Sequence, residues 1–178
     1  MAADAGHLEA ITALSDALQA EGFEPVLVGG MALVILGSPR VTKDFDFLVS
    51  TQGPPVETLV KTMYRHRLQL VTKLNPAGEV VRTVDNPRVA AAKVKADPPR
   101  SLYFFDGKTG LRVDLLLDFP LPSHAVAGRA ARIRLKSGSL RVADPKDLLR
   151  LKEIAYADRK SAADAHDLDF LRRSLKSS

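Results

Sequence analysis

The apolar positions of this chain follow two periods, and the change from one to the other marks its elements. Leu8, Ile11, Leu14 and Leu18 recur at helical spacing and Gly22 supplies a stop, which predicts a first helix packed on a sheet. Val26-Leu27-Val28 is a buried-strand run ending at Gly29-Gly30. Met31 to Leu36 is apolar and closes at Gly37, a helix stop, before Ser38-Pro39 breaks the chain. Val41 to Val49 reads as a second strand, Thr51 to Pro55 as a loop, and Val56, Leu59, Val60 and Met63 as a helix. The cations Arg65, His66 and Arg67 suit the C-terminal end of that helix. Strands are expected near residues 68–72 and 80–84. The rest of residues 68–97 is weakly patterned, and its Arg88, Lys93 and Lys95 read as a mobile charged loop or as a face for RNA, with Pro98-Pro99 as punctuation.

The second half is more regular. Ser101 to Phe105 and Leu111 to Leu117 read as paired strands across a turn at Asp106-Gly107 and Gly110. Arg132 to Leu135 and Leu140 to Val142 form a predicted hairpin through Ser137-Gly138-Ser139. Asp144-Pro145 opens a helix, with Asp144 as N-cap and Asp147 in the first turn, that runs through Ala155. Ser161 and Asp164 have capping-box spacing for a last helix carrying Asp167, Leu168 and Leu171 on one face, with Arg172 to Ser178 expected to fray. The predicted class is α+β, a mixed sheet flanked by helices: a core over residues 1–143, and C-terminal helices over 144–178 that complete the site within one unit.

Chemistry enters at the second strand. Side chains in a strand alternate faces, so Asp44 and Asp46 point one way while Phe45, Phe47 and Val49 point into a core. Two aligned carboxylates repel each other, and a divalent cation relieves the repulsion; carboxylate oxygens suit magnesium. Gly29 and Gly30 let backbone amides approach a triphosphate, or simply make a tight turn. Arg40 is a phosphate ligand or a surface arginine, and Thr42 shares the face of the Asp pair or is an ordinary strand threonine. Asp114 interrupts the apolar run LRVDLLL, where a carboxylate is costly unless paired or on a metal. Asp118 shares its face and is a rival, although Phe119-Pro120 makes a turn there the simpler reading. Lys152 lies among Leu148, Leu149 and Ala155, from where it snorkels outward or faces a ligand.

Composition narrows the class. At 178 residues, the chain suits a domain burying about 70% of its unfolded surface, so it needs no covalent staples. It contains no cysteine, which removes disulfides and thiolate metal sites. His7, His124 and His166 show no metal spacing. No apolar run is long enough for a transmembrane helix, and the acidic N-terminus is unlike a signal peptide, so a soluble cytoplasmic protein is expected. The net charge of +5 and pI near 9.6 favour a polyanionic partner or describe a solvated basic surface.

A Gly-Gly turn, a short helix and a strand carrying Asp-x-Asp resemble the nucleotidyltransferase superfamily, whose fold is that of DNA polymerase β. The wording GGMAL followed by RVTKDFDFLV is most similar to the AbiEii-type toxin branch and its stand-alone bacterial relatives, which typically have a small residue where Met31 stands. The resemblance covers the first half well and the C-terminal part loosely. It implies that Asp114 is the third acidic residue, beside the Asp-x-Asp strand. It implies that Lys152 meets nucleotide phosphates from its helix, and that Asp167, in the pattern D-x-x-D-L-x-x-L, sits near Lys152 and the site; an ordinary amphipathic helix is the alternative for Asp167.

The expected activity is magnesium-dependent transfer of a nucleoside monophosphate from an NTP to an acceptor. Two magnesium ions about 4 Å apart would be held by Asp44, Asp46 and Asp114. Gly29, Gly30, Arg40, Thr42 and Lys152 would face the triphosphate. The branch implies a transfer-RNA end or a protein side chain as acceptor, often within a toxin–antitoxin pair. Two other readings stand beside it: a catalytically silent module of the same fold that binds nucleotide, RNA or a partner, and an antitoxin of this fold.

Overall fold

In the computed structural model, residues 5–177 are described. They form one eight-stranded mixed sheet in the order β4-β3-β5-β6-β2-β1-β8-β7, with seven helices. The strands are β1 (Val26–Val28), β2 (Asp44–Val49), β3 (Gln69–Leu74), β4 (Val80–Val84), β5 (Ser101–Phe105), β6 (Arg112–Leu117), β7 (Ala131–Leu135) and β8 (Gly138–Val142). The helices are α1 (Ala5–Ala20), α2 (Gly29–Ile35), α3 (Val56–Arg65), α4 (Pro87–Ala96), α5 (Ser123–Arg129), α6 (Pro145–Arg159) and α7 (Ala162–Lys176). The α+β class and the mixed sheet are as the sequence predicts. No helix among the described residues is long and apolar enough to cross a membrane.

The centre of the sheet is its most apolar part. β1 is buried along its whole length, as a three-residue apolar run between two neighbours requires. β1 pairs antiparallel with β2, and β2 pairs parallel with β6. Phe45, Phe47, Phe104, Val113 and Leu115 are almost fully buried in one continuous core. That core fixes the strand faces: with the phenylalanines of β2 inside, Asp44 and Asp46 must stand on the opposite face. The register sets Asp46 against Val28 on one side and against Asp114 on the other.

Four details depart from the sequence reading. The strand starts at Asp44 rather than Val41, and Val41 is 58% exposed, because no neighbouring strand pairs with the segment before Asp44. The region of Arg88, Lys93 and Lys95 is helix α4 and not a mobile loop. The Asn86 side chain accepts hydrogen bonds from the N–H groups of Arg88 and Val89, Pro87 occupies the first turn, and Ala90, Ala91 and Val94 reach the core. Helix α5 occupies a stretch for which no helix was expected. The tail does not fray from Arg172: α7 continues to Lys176, anchored by buried Leu168 and Leu171, while Ser178 lies outside the described residues.

Candidate active site

The strand–helix junction after β1 is shaped by what packs on its glycines. Gly29 and Gly30 are the first two residues of α2, and Gly29 has φ +67°, in the left-handed region. A Cβ on Gly29 would come within 2.1 Å of Asp46 Oδ2, and one on Gly30 within 2.8 Å of Arg40 Cζ. The missing side chains thus let a carboxylate and a guanidinium close onto the turn.

Asp44, Asp46 and Asp114 share one face on two adjacent parallel strands, with Asp46 and Asp114 in direct register. Burial and the neighbouring charges of Asp114 and Asp44 push the Asp46 carboxyl up to about 7, against the opposing pull of Lys152 and Arg40. Burial, then the charge of Asp44, raises Asp114 to about 6. Asp114 Oδ1 is buried with no hydrogen-bond partner. Among the described residues, no group of three His, Asp or Glu side chains already stands in metal-holding geometry. The donor set nevertheless fits a hard divalent cation: three carboxylates on one face, mutually repelling, one with an orphaned oxygen.

The cationic side comes from the far end of the chain. Lys152 on α6 ion-pairs with Asp164 Oδ1 at 3.1 Å and with Asp167 Oδ2 at 2.8 Å, both on α7. Arg40, in the loop before β2, donates from Nη1 to the same Asp167 oxygen. Asp167 is only 3% exposed and sits behind the two cations. Asp164 also receives Ser161 Oγ–H at 2.7 Å and pairs with Arg159 at 3.2 Å. Burial raises its pKa, but the Ser161 and Lys152 hydrogen bonds and the charges of Lys152 and Arg159 outweigh this and leave it below the usual carboxylate range. Arg40 Nε is buried without a partner, a donor matching the orphaned acceptor on Asp114.

These groups line one cavity of about 980 Å³. Gly29, Gly30, Arg40, Thr42, Asp44, Asp46, Asp114 and Lys152, all expected at the site, are on its wall, and Asp167 lies behind it. Asp118 does not join them. Its carboxylate accepts from the N–H groups of Thr51 (2.7 Å) and Ser123 (3.0 Å) and from the Thr51 hydroxyl (2.9 Å), which makes it a turn residue. Asp164 and Arg159, with Arg100 and Asp158, are among the cavity residues that sequence reasoning did not assign to the site. The capping-box spacing of Ser161 and Asp164 is real, since the Asp164 N–H donates to Ser161 Oγ. It accounted for Asp164 fully, so nothing in the pattern pointed to a second role.

The raised carboxylates have a measurable consequence. Between its unfolded value of 3.8 and its folded value of about 7, Asp46 binds more proton in the folded state, so the metal-free fold loses stability as pH rises through that window. With chelator present, the protein should melt higher near pH 5.5 than near pH 8, and magnesium should recover the loss at pH 8. His66, held below its ordinary 6.5 by burial and Arg65, works in the opposite direction at the acid end. The comparison is therefore wild type minus Asp46→Asn, and an identical pH profile for the two would remove Asp46 from the effect.

Solved structures with the same fold are distant in sequence. An antigenic nucleotidyltransferase-like protein from Paracoccidioides brasiliensis is 15% identical with TM-score 0.56, and the match covers 95% of this chain and 77% of that one. The lincosamide antibiotic adenylyltransferase LnuA, solved with lincomycin bound, is 10% identical with TM-score 0.57, over 96% and 97% of the two chains. JHP933 from Helicobacter pylori is 15% identical with TM-score 0.51, over 97% and 68%. No curated protein matches the chain in sequence. The family model described as nucleotidyl transferase AbiEii toxin, type IV TA system, matches residues 9–177, nearly the whole chain, so this protein belongs to the AbiEii family and is a nucleotidyltransferase.

Proposed function

We propose that the chain is a magnesium-dependent nucleotidyltransferase that moves a nucleoside monophosphate from an NTP onto a hydroxyl of an RNA end or a protein side chain, as the toxin of a toxin–antitoxin pair. The observation that carries the reading is the pairing of opposites in one cavity. Asp114, which keeps a buried carboxylate oxygen without a partner, and Arg40, which keeps a buried guanidinium N–H without one, line the same cavity, one suited to a cation and the other to a phosphate.

In this reading Asp44, Asp46 and Asp114 hold the metal, which supplies positive charge for the leaving pyrophosphate and a lowered pKa for the attacking hydroxyl. Arg40 and Lys152 bind the triphosphate oxygens. Asp167 touches neither metal nor nucleotide; it holds both cations in place from behind, so their side chains lose little freedom when the nucleotide arrives. Gly29 and Gly30 leave room for Asp46 and Arg40 at the turn, and Thr42 lines the triphosphate side. Asp114, at the outer edge of the acidic set, accepts the proton of the acceptor hydroxyl. Residues 1–143 form the core of this machine and residues 144–178 bring Lys152 and Asp167 to it.

The test is incubation with each of the four NTPs, labelled at the α-phosphate, with magnesium and total RNA or cell lysate. Label moving to an RNA or a protein band, and lost with chelator, is the expected result. Label from no NTP in the presence of magnesium would overturn the proposal.

A further inference from the structure

Cations without acidic partners gather on the β7–β8 hairpin, away from the candidate active site. β7 ends the sheet, with β8 as its strand neighbour, and the two pair without interruption. The opposite edge differs: the pairing of β4 with β3 is broken by register shifts, which blunt it. Along β7, Arg132 and Arg134 stand exposed on one face, and Lys136 follows, exposed, in the turn. Ile133 and Leu135 lie on the other face, half-buried against the core. The register sets Arg132 directly opposite Arg141 on β8, a like-charge pair that costs the hairpin stability. Arg132 donates to neutral groups, Ser139 Oγ at 3.2 Å and Gln19 Oε1 at 3.4 Å. The nearby carboxylate of Glu24 is taken by Arg141 and His124, each at 3.5 Å. Among the described residues, no carboxylate pairs with Arg132, Arg134 or Lys136.

An edge strand presents a row of backbone N–H and C=O groups to whatever lies beside it. The arginines guard that row against a second copy, since β7 laid against β7 would bring like charges together. The same arginines select a strand of opposite charge. We propose that the β7 edge is a strand-addition site, and that its occupant is an extended segment of a partner protein in which acidic residues alternate with apolar ones. The segment's backbone would extend the ladder beyond β7. Its acids would face Arg132 and Arg134, and its apolar side chains would lie beside Ile133 and Leu135. A nucleic acid would meet the cations but leave the backbone row and the apolar face unmatched, so a peptide strand fits the edge better. No residue of β7 lines the candidate active-site cavity, so partner and nucleotide would bind together.

The experiment is fluorescence anisotropy of the full chain with a labelled, amidated peptide, Ser-Glu-Val-Glu-Val-Glu-Ser. Wild type should bind it, and hydrogen exchange at the β7 amides should slow on binding. Arg132→Glu combined with Arg134→Glu should weaken binding roughly tenfold, as two facing pairs turn from attraction to repulsion. That variant should instead bind the peptide carrying lysine at each glutamate position, which wild type rejects. A peptide N-methylated at alternate residues keeps every charge but loses the ladder, and should bind wild type roughly tenfold more weakly. If a thermal melt shows the double variant unfolded, Arg134→Gln alone carries the test, with a loss of about threefold. Wild type that ignores the glutamate peptide, or holds the N-methylated form equally well, overturns strand addition. So does a single-stranded RNA of about twelve nucleotides that binds wild type more tightly than the peptide and is lost in the variant, which would make the patch a nucleic-acid face. NTP with magnesium should leave the peptide affinity unchanged; competition between them would place the peptide in the cavity and overturn the assignment to β7.

Discussion

Asp46→Ala should lower nucleotidyl transfer by a factor of about 10³ or more and yet melt at or above the wild-type temperature in chelator at pH 8. The two halves have one cause. Asp46 is the member of the acidic set most burdened by its surroundings, with a carboxyl raised to about 7 by burial and by Asp114 and Asp44. In the metal-free fold it is a cost, because at pH 8 a charge is held where neutrality is preferred, and alanine relieves it. In the proposed catalysis the same carboxylate is the central one, in register with Asp114 and two residues from Asp44. Its loss would remove one of the three carboxylates proposed to hold the metal, whose positive charge would serve the leaving pyrophosphate, a role that accounts for barrier changes of several kcal/mol. Initial rates with labelled NTP and thermal melts of the same preparations test both. Transfer within tenfold of wild type would sink the assignment, and a sharp drop in melting temperature would show that Asp46 supports the fold.

Gly29→Ala should be damaging for a steric reason. At φ +67° an alanine pays for the left-handed backbone, about 1–2 kcal/mol, and its Cβ would stand 2.1 Å from Asp46 Oδ2, so the carboxylate must leave its place. A stability loss of about 2–4 kcal/mol in denaturant unfolding is expected, with transfer reduced about 10²-fold in the fraction that remains folded. Gly37→Ala is the control. Gly37 also has a positive φ, +100°, but nothing lies within 4 Å of the position its Cβ would take. It should lose stability through strain alone and keep the specific activity of folded protein. Equal activity losses in the two variants would show that the Gly29 effect is not contact with Asp46.

Much of the candidate site is legible in the sequence. The alternation in DFDFLV aims the two carboxylates together whatever the strand pairs with, because a strand has only two faces and the phenylalanines claim one. Asp114 stood out because an acid in an apolar strand needs a reason. α4 was not legible, since three consecutive alanines among lysines blur the helical period, and its one strong signal, Asn86-Pro87, is local. The part of Asp164 in holding Lys152 was hidden because its capping spacing already explained it.

Periodicity and turn chemistry along the chain were enough to determine which side chains share a face: Asp44 with Asp46, Leu168 with Leu171, the buried set of β6 against Asp114. Which faces meet was decided only in three dimensions. Arg40 and Asp167 are 127 residues apart, and nothing local to either says that one buried carboxylate holds both Arg40 and Lys152. The rotation of an element about its own axis follows from its own residues. The docking of α7 behind α6 and the loop before β2 follows from the packing of the whole core, and that packing brings the cations to the edge of the acidic face.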